Sequence, residues 1–413
     1  MTAQPAIQFL ASHYAQRSQR DEPAWLGKMR ADAMALVVAQ GLPTPRHENW
    51  KYTNLRSLHR KEFSAASSIP VNADSILPLS THGFSFVNGQ PHEHLPVDGL
   101  SARLLSDVLR DEPDFLSGEL SALLNFERHP LAALNTAFFD DGIVIDIHEG
   151  QQFDQPLMLE FVSTPGPDPA LLCPRVLIRM AADSRLQVIE RHIGTSNAEN
   201  FSSAVTEVSL GRGAQLEHYR LQEMSPGESA MHMMAVHQSR DSLLQTHTID
   251  LGGKLIRNDL HTWLCGEGAT ARLSGLYMAV GSQHVDNHTR IDHNSPHTTS
   301  VEDYRGVLAD KARAVFNGKV LVAQDAQKSN ASQSNKNLIL SGKAEIDTKP
   351  ELEIYADDVR CSHGATIGQL DEEALFYLRA RGIGEKTARA LLTFAFADEL
   401  LSAIAVDDLR EYV

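Results

Sequence analysis

GIVIDIH, residues 142–148, is where the apolar residues of this chain change from helical spacing to strict alternation. Similar runs follow: PLMLEFVS (156–163), RVLIRM (175–180), RLQVIERHI (185–193), AVTEVSL (204–210), AQLEHYRL (214–221), SLLQTHTID (242–250) and AVFNGKVLV (314–322). Turn residues separate them, and no helical pattern returns until near residue 370. Between the runs a Gly or Asp turn, a small residue and renewed alternation recur at Asp183-Ser184, Gly211-Gly213, Asp241-Ser242, Gly266-Gly268, Asp310-Ala312 and Ser341-Lys343. Most of these lie about 30 residues apart, with one longer gap. A unit of that length cannot bury its apolar face alone and must stack on its neighbours. A sandwich would use fewer strands, and a propeller four per 40 to 50 residues. The expected fold is mainly β, a parallel β-helix with one coil per repeat.

The flanks read as helical. PAWLGKMRADAMALVVAQ places Leu26, Met29, Ala33, Leu36 and Val37 on one face, with Pro23 near its start and Gly41 to stop it. LPTPRHENWKYTNL reads as an ordered loop anchored on the next domain by Trp50 and Tyr52. A short strand at Phe84–Val87, a helix around Leu104–Leu109 and two short helices within 117–138 complete the first third. At the other end Asp371 caps one helix that Gly382 ends. Gly384 then opens a second, whose Ala388, Leu391, Leu392 and Ala395 form one apolar stripe. The expected division is 1–140, 141–366 and 367–413.

A formal charge of −16 repels nucleic acid and anionic membrane surfaces. No apolar run reaches the roughly 18 residues of a membrane span, and the first residues lack a secretory apolar core. Three cysteines, at 173, 265 and 361, make no disulfide framework and no C-x-x-C spacing, which points to a reducing cytoplasm.

The most chemical stretch is ELEIYADDVRCSHGAT, residues 351–366. In one extended strand Cys361 and His363 share a face, with Leu352, Ile354 and Ala356 on the opposite, inward one. Thiolate and imidazole suit iron, zinc or copper, but two ligands are too few, so any metal must be completed from elsewhere. Arg360 favours the Cys361 thiolate and Asp357-Asp358 oppose it. Ten of the 19 histidines fall between His192 and His297. His284, His288, His293 and His297 read as a hydrated sheet surface rather than a metal site. Two further classes can be weighed. LRARGIGEKTARALL has the Gly-x-Gly turn of a nucleic-acid-binding helix-hairpin-helix, but from Ile367 to Val413 five basic residues face nine acidic ones. A β-helix carbohydrate-active enzyme would be secreted and rich in groove aromatics, against 6% here. GIGEKT lacks the spacing of a phosphate-wrapping loop.

The run from Asp303 to Ile383, DYRGVLADK through LRARGI, resembles the shared core of the SufB/SufD family of iron-sulfur cluster assembly scaffolds, and RHENWKYTNL (46–55) resembles its N-terminal signature. The likeness is to the shorter SufD-type members, since the SufB type carries an extra N-terminal cysteine cluster. It implies a right-handed parallel β-helix between helical domains, with no catalysis of its own. It implies a SufB-like partner on the β-helix near its C-terminal end, a SufC-like ATPase docked on the C-terminal helices, and possible homodimers of the isolated chain. His363 is then a ligand to a transient iron-sulfur cluster completed by partner thiolates, with Cys361 an accessory ligand. Arg360, Asp371, Leu375, Leu378, Arg381, Gly382 and Ile383 are the implied partner-binding positions.

Overall fold

The computed structural model describes residues 5–17, 22–65, 82–95, 99–195 and 197–413. Its centre is a parallel β-solenoid of about eight coils, each contributing one strand to each of two sheets. The first sheet runs from Glu345–Ile354 through Arg313–Val322, His284–His293, Leu255–Leu264, Ser229–Gln238, Phe201–Leu210 and Arg175–Met180 to Ile143–Ile147 and the antiparallel Ser101–Leu104. The second runs from Arg360–Gly368 through Asn330–Ile339, Thr299–Leu308, Thr270–Ala279, Leu243–Asp250, Gln215–Glu223 and Arg185–Gly194 to Leu157–Ser163 and the hairpin Gly83–Val87/Gln90–Leu95. In the first sheet, register partners in successive full-length coils lie 26 to 32 residues apart.

The alternating runs form strands because their two faces have different fates. Ile178, Leu186, Val188, Leu216, Leu244, Ile256, Leu273 and Phe316 fill the lumen in one continuous apolar cluster. Outward residues of the first sheet, among them Val144, Leu177 and Met231, pack under the helices Pro5–Arg17, Ala24–Gln40 and Pro130–Phe138. Outward Met158, Ile189, Tyr219, Leu221, Ile249 and Leu276 of the second sheet receive Ala397, Leu400, Leu401, Ile404 and Leu409 from the C-terminal helices.

The repeating turn signal resolves into two columns. Asp183, Gly213, Asp241, Gly268, His297 and Lys328 hold the left-handed conformation where the chain passes from the first sheet to the second. Most of these amides donate to a carbonyl one coil further on: Asp183 to Arg212 at 2.7 Å, Gly213 to Arg240 at 2.9 Å, Asp241 to Glu267 at 2.9 Å, His297 to Gln327 at 2.9 Å and Lys328 to Asp358 at 2.7 Å. Asp310 and Ser341 belong to the opposite column, so the long gap in the pattern is a jump between columns. His297 and Lys328, which no turn rule singles out, are the missing members.

The Trp50 loop is anchored as its sequence indicated, but through Trp50 and not through Tyr52, which is exposed. Trp50 is buried with the Arg257 guanidinium 3.9 Å from its ring, and Thr53 Oγ1 donates to Asp286 at 2.5 Å. His284 and His288 therefore lie half-buried beside Asp286 on a covered sheet face, and His293 is buried in the lumen, bonded to Thr298 and Ser300. A hydrated surface is the wrong description for all three, because the N-terminal segment and the neighbouring coils exclude water there. The stripe on Glu385–Leu401 also differs: Ala388 is buried, but Leu391 and Ala395 are exposed, since the helix meets the sheet chiefly through its last turns.

Gly275 and Gly306 let aromatic rings lie across the lumen. A Cβ on Gly306 would stand 2.3 Å from the Tyr277 ring and 2.5 Å from Asn337 Oδ1. Gly306→Ala should lower stability by about 1–3 kcal/mol, read as a reduced urea midpoint at an unchanged m-value. An unchanged midpoint would show that the coil yields freely.

Candidate functional site

Residues 351–366 are two strands, not one. Glu345–Ile354 closes the first sheet, Tyr355–Val359 makes the turn, and Arg360–Gly368 closes the second. The turn resets the alternation, which corrects the expected arrangement: Leu352 and Cys361 both pack on the lumen core, from opposite sheets. Register gives the orientation of the last strand. Cys361 stands over Ala331 and His363 over Gln333, two residues that point into the lumen.

His363 is exposed all the same, because no further coil lies above it among the described residues. Below it Gln333 Nε2 donates to Glu302 Oε2 at 2.6 Å, with both residues buried. Cys361 is half-buried, and that burial raises its thiol pKa, against which the Ala331 amide acts. The expected activation of the thiol by Arg360 does not occur: Arg360 is exposed and has the opposite parity along the strand. Cys265 is exposed in a turn, while Cys173 is sealed in the N-terminal core, which pushes its thiol far up.

The other candidates form a second, separate surface. Asp371 caps Glu372–Ala380, accepting from the Glu373 amide at 2.8 Å and the Ala374 amide at 3.3 Å. Leu375 is buried and Leu378 half-buried, so they shape the helix pair from within. Arg381 donates to Tyr377 Oη at 2.7 Å. Gly382, at φ +87°, makes the turn that half-buried Ile383 continues. This module exposes Leu391 of the expected stripe at 47%, and with it three residues the sequence did not single out: Phe376 at 74%, Tyr377 at 57% and Phe394 at 60%. Only tertiary packing separates them from inward apolar residues. Beside them Phe394, Leu370, Leu276 and Met278 line an apolar pocket of about 480 Å³. Two basic residues beside the Gly-x-Gly turn are paired with Glu385, Arg379 across the turn at 3.6 Å and Arg389 within the helix at 3.4 Å, which leaves less positive charge for a phosphate backbone.

Both sheets thus end side by side in unpaired parallel strands, and such edges recruit another chain. The class defined is a helix-flanked parallel β-solenoid with an open terminal coil carrying a histidine and a thiol. Two family descriptions match in tandem: "SufBD protein N-terminal region" over residues 6–159 and "SUF system FeS cluster assembly, SufBD core domain" over 162–396. The chain belongs to the SufBD family of the SUF iron-sulfur cluster assembly system. It is 33% identical to the iron-sulfur cluster assembly protein SufD of Escherichia coli over 91% of this chain and 89% of that one. It is 32% identical to a SufBD family protein of Synechocystis, covering 94% and 90%, and 26% identical to SufD of Bacillus subtilis, covering 95% and 93%. Among the described residues no helix is long and apolar enough to cross a membrane.

Burial raises the pKa of Glu302, beneath Gln333, to about 7, against the hydrogen bond from Gln333. Its folded pKa lies above the unfolded one, so its contribution is complete in acid and lost as pH rises through about 7. Glu302→Gln should therefore leave the urea midpoint unchanged near pH 4 and raise it at pH 8, where the unfolding free energy gains on the order of a few kcal/mol. Equal midpoints for both proteins at pH 8 would show that the carboxylate is not desolvated.

Proposed function

We propose that this chain is a non-catalytic, cytoplasmic scaffold subunit for iron-sulfur cluster assembly, built as units 1–140, 141–366 and 367–413. It pairs with a SufB-like chain through its terminal coil and docks a SufC-like ATPase on its C-terminal helices. The observation that carries this reading is the exposed His363 between two unpaired strand edges. A second solenoid laid against those edges continues both sheets, covers Ile354, Tyr355 and Ile367, which are 41%, 62% and 55% exposed, and buries the imidazole at the seam. His363 then contributes one nitrogen to a cluster whose other ligands are partner thiolates. Arg360 lies on the same strand, and Cys361 lends a thiol once the partner's charges offset its burial. In the isolated chain the same edges offer a surface on which a second copy can pair as a homodimer. On the helical module Asp371, Leu375, Leu378, Arg381, Gly382 and Ile383 fix the shape of the pair, and Phe376, Tyr377, Leu391 and Phe394 supply the apolar contact.

Anaerobic co-expression with SufB-like and SufC-like chains tests the first part. His363→Ala should preserve the ternary particle and lower cluster absorbance at least about tenfold, the effect expected of losing a ligand. Wild-type cluster yield in that variant would remove His363 from the set. Phe394→Asp addresses the second part: the ATPase should be lost from the co-purified particle while the SufB-like chain remains. Retention of the ATPase would place its dock elsewhere.

A further inference from the structure

The lumen holds a polar cluster far from the terminal coil. Glu190 and His192 on Arg185–Gly194, His218 on Gln215–Glu223, Thr206 on Phe201–Leu210 and His232 on Ser229–Gln238 share the inward parity of Leu186, Val188, Leu216, Val208 and Ala230. Glu190 Oε1 accepts from His192 Nε2 at 2.7 Å, and its Oε2 accepts from His218 Nε2 at 3.0 Å and Thr206 Oγ1 at 2.9 Å. The rings of His192 and His232 meet edge to face, 4.4 Å between centroids. One ligand atom from each of Glu190, His192 and His232 lies within 4.8 Å of the others.

His232 is the anomaly. Its side chain is 5% exposed, yet neither ring nitrogen has a hydrogen-bond partner among the described residues. Leaving a buried polar atom unsatisfied costs about 1–3 kcal/mol. His232 lines, with Glu190, His218 and Thr206, a cavity of about 30 Å³. That exceeds the roughly 10–15 Å³ needed for a single water-sized occupant.

We propose that Glu190, His192 and His232, with His218 beside the carboxylate as a fourth imidazole, form a buried site for a divalent transition-metal ion. Imidazole nitrogens with one carboxylate suit Zn²⁺, Fe²⁺ or Co²⁺, whereas Mg²⁺ and Ca²⁺ require oxygen. Burial lowers the pKa of His192 and of His232, which keeps both rings in the neutral form that ligates. Burial opposes ionisation of Glu190, but the hydrogen bonds from His192 and His218 outweigh it and hold the carboxylate well below its usual range. To receive the ion, His192 moves its proton from Nε2 to Nδ1, which frees Nε2 and gives up its bond to Glu190, the charge of the ion then holding the carboxylate ionised in its place. The Arg220 guanidinium disfavours a cation nearby, but Asp250 at 3.1 Å and Asn258 engage it. Six strand spacings along the second sheet separate Arg185–Gly194 from the terminal strand, roughly 30 Å, so this site is independent of His363. With a sheet on either side, the ion enters as the coils close and afterwards exchanges slowly.

The test uses the full-length chain carrying Cys361→Ala and His363→Ala, expressed with Co²⁺ and washed with chelator. About one Co²⁺ per chain should remain, with the visible bands of a low-coordinate ion and histidine ring scattering in X-ray absorption. Adding His232→Leu, which fills the cavity with an apolar group, should reduce retained Co²⁺ at least about tenfold while the circular dichroism stays unchanged. Absence of Co²⁺ from the washed parent, or equal retention in the His232→Leu protein, would overturn the site. Should that variant fail to fold, X-ray absorption of the parent decides alone, since a metal shell without histidine rings would refute the assignment.

Discussion

A parallel coil can satisfy its backbone only by lying on another coil. From Arg175–Met180 to Asn330–Ile339 each strand hydrogen-bonds to the strand one coil before and one coil after, in almost unbroken register. A β-barrel abolishes its edges by closing; a solenoid cannot. At the start the hairpin Gly83–Val87/Gln90–Leu95 and the antiparallel strand Ser101–Leu104 cover the first coil. At the finish nothing of the kind follows Ile354 or Gly368. The exposure of His363 is a consequence of this asymmetry, since every equivalent lumen position below it in the sheet is covered by the next coil.

Buried arginines tie the helical segments to the solenoid. Arg175, Arg191, Arg257 and Arg305 point outward from the sheets yet are buried. Arg175 engages Glu207, Asn135 and Thr136; Arg191 engages Glu160, Glu223 and Tyr412. Arg257 holds Asp259, Asp286 and the Asn49 carbonyl, and Arg305 holds Glu399 and the Phe396 carbonyl. Each guanidinium thus takes part of its coordination from a distant segment of chain. The carboxylates that pair with Arg175, Arg191 and Arg257 lie on the solenoid strands and the flanks add neutral acceptors to them, while Arg305 also takes exposed Glu399 from a flank, so lifting a flank away loses hydrogen bonds worth about 0.5–1.5 kcal/mol each. The C-terminal helices are held at their far end, near Phe396 and Tyr412, which leaves the Phe376 end outward.

Much of this was legible in the sequence, and the failures have identifiable causes. Alternation with turns about every half coil identified stacked strands because a lumen residue and its neighbours face different surroundings. The turn columns were merged because the left-handed positions at His297 and Lys328 carry residues without turn chemistry. Parity across Tyr355–Val359 could not be carried from one strand to the next, because five residues of turn reorient the chain. RLQVIERHI and AQLEHYRL read as ordinary alternating strands, and nothing in them marked Glu190, His192 or His218. A local pattern cannot show that these side chains from different coils converge on one point.

An imidazole on an open edge is a poor ligand by itself and becomes a good one when a partner holds other donors beside it. Affinity for a cluster then belongs to the seam rather than to either chain, since one nitrogen binds weakly and several preorganised ligands bind cooperatively. Separating the chains by a few ångströms removes that advantage at once. A ligand set enclosed in the lumen has the opposite property: all its donors come from one covalent chain, and release requires opening coils that hydrogen-bond on both sides. An assembly scaffold that must part with its product is therefore better served by the terminal strand than by the interior, and the solenoid provides a terminal strand because it has no means of closing.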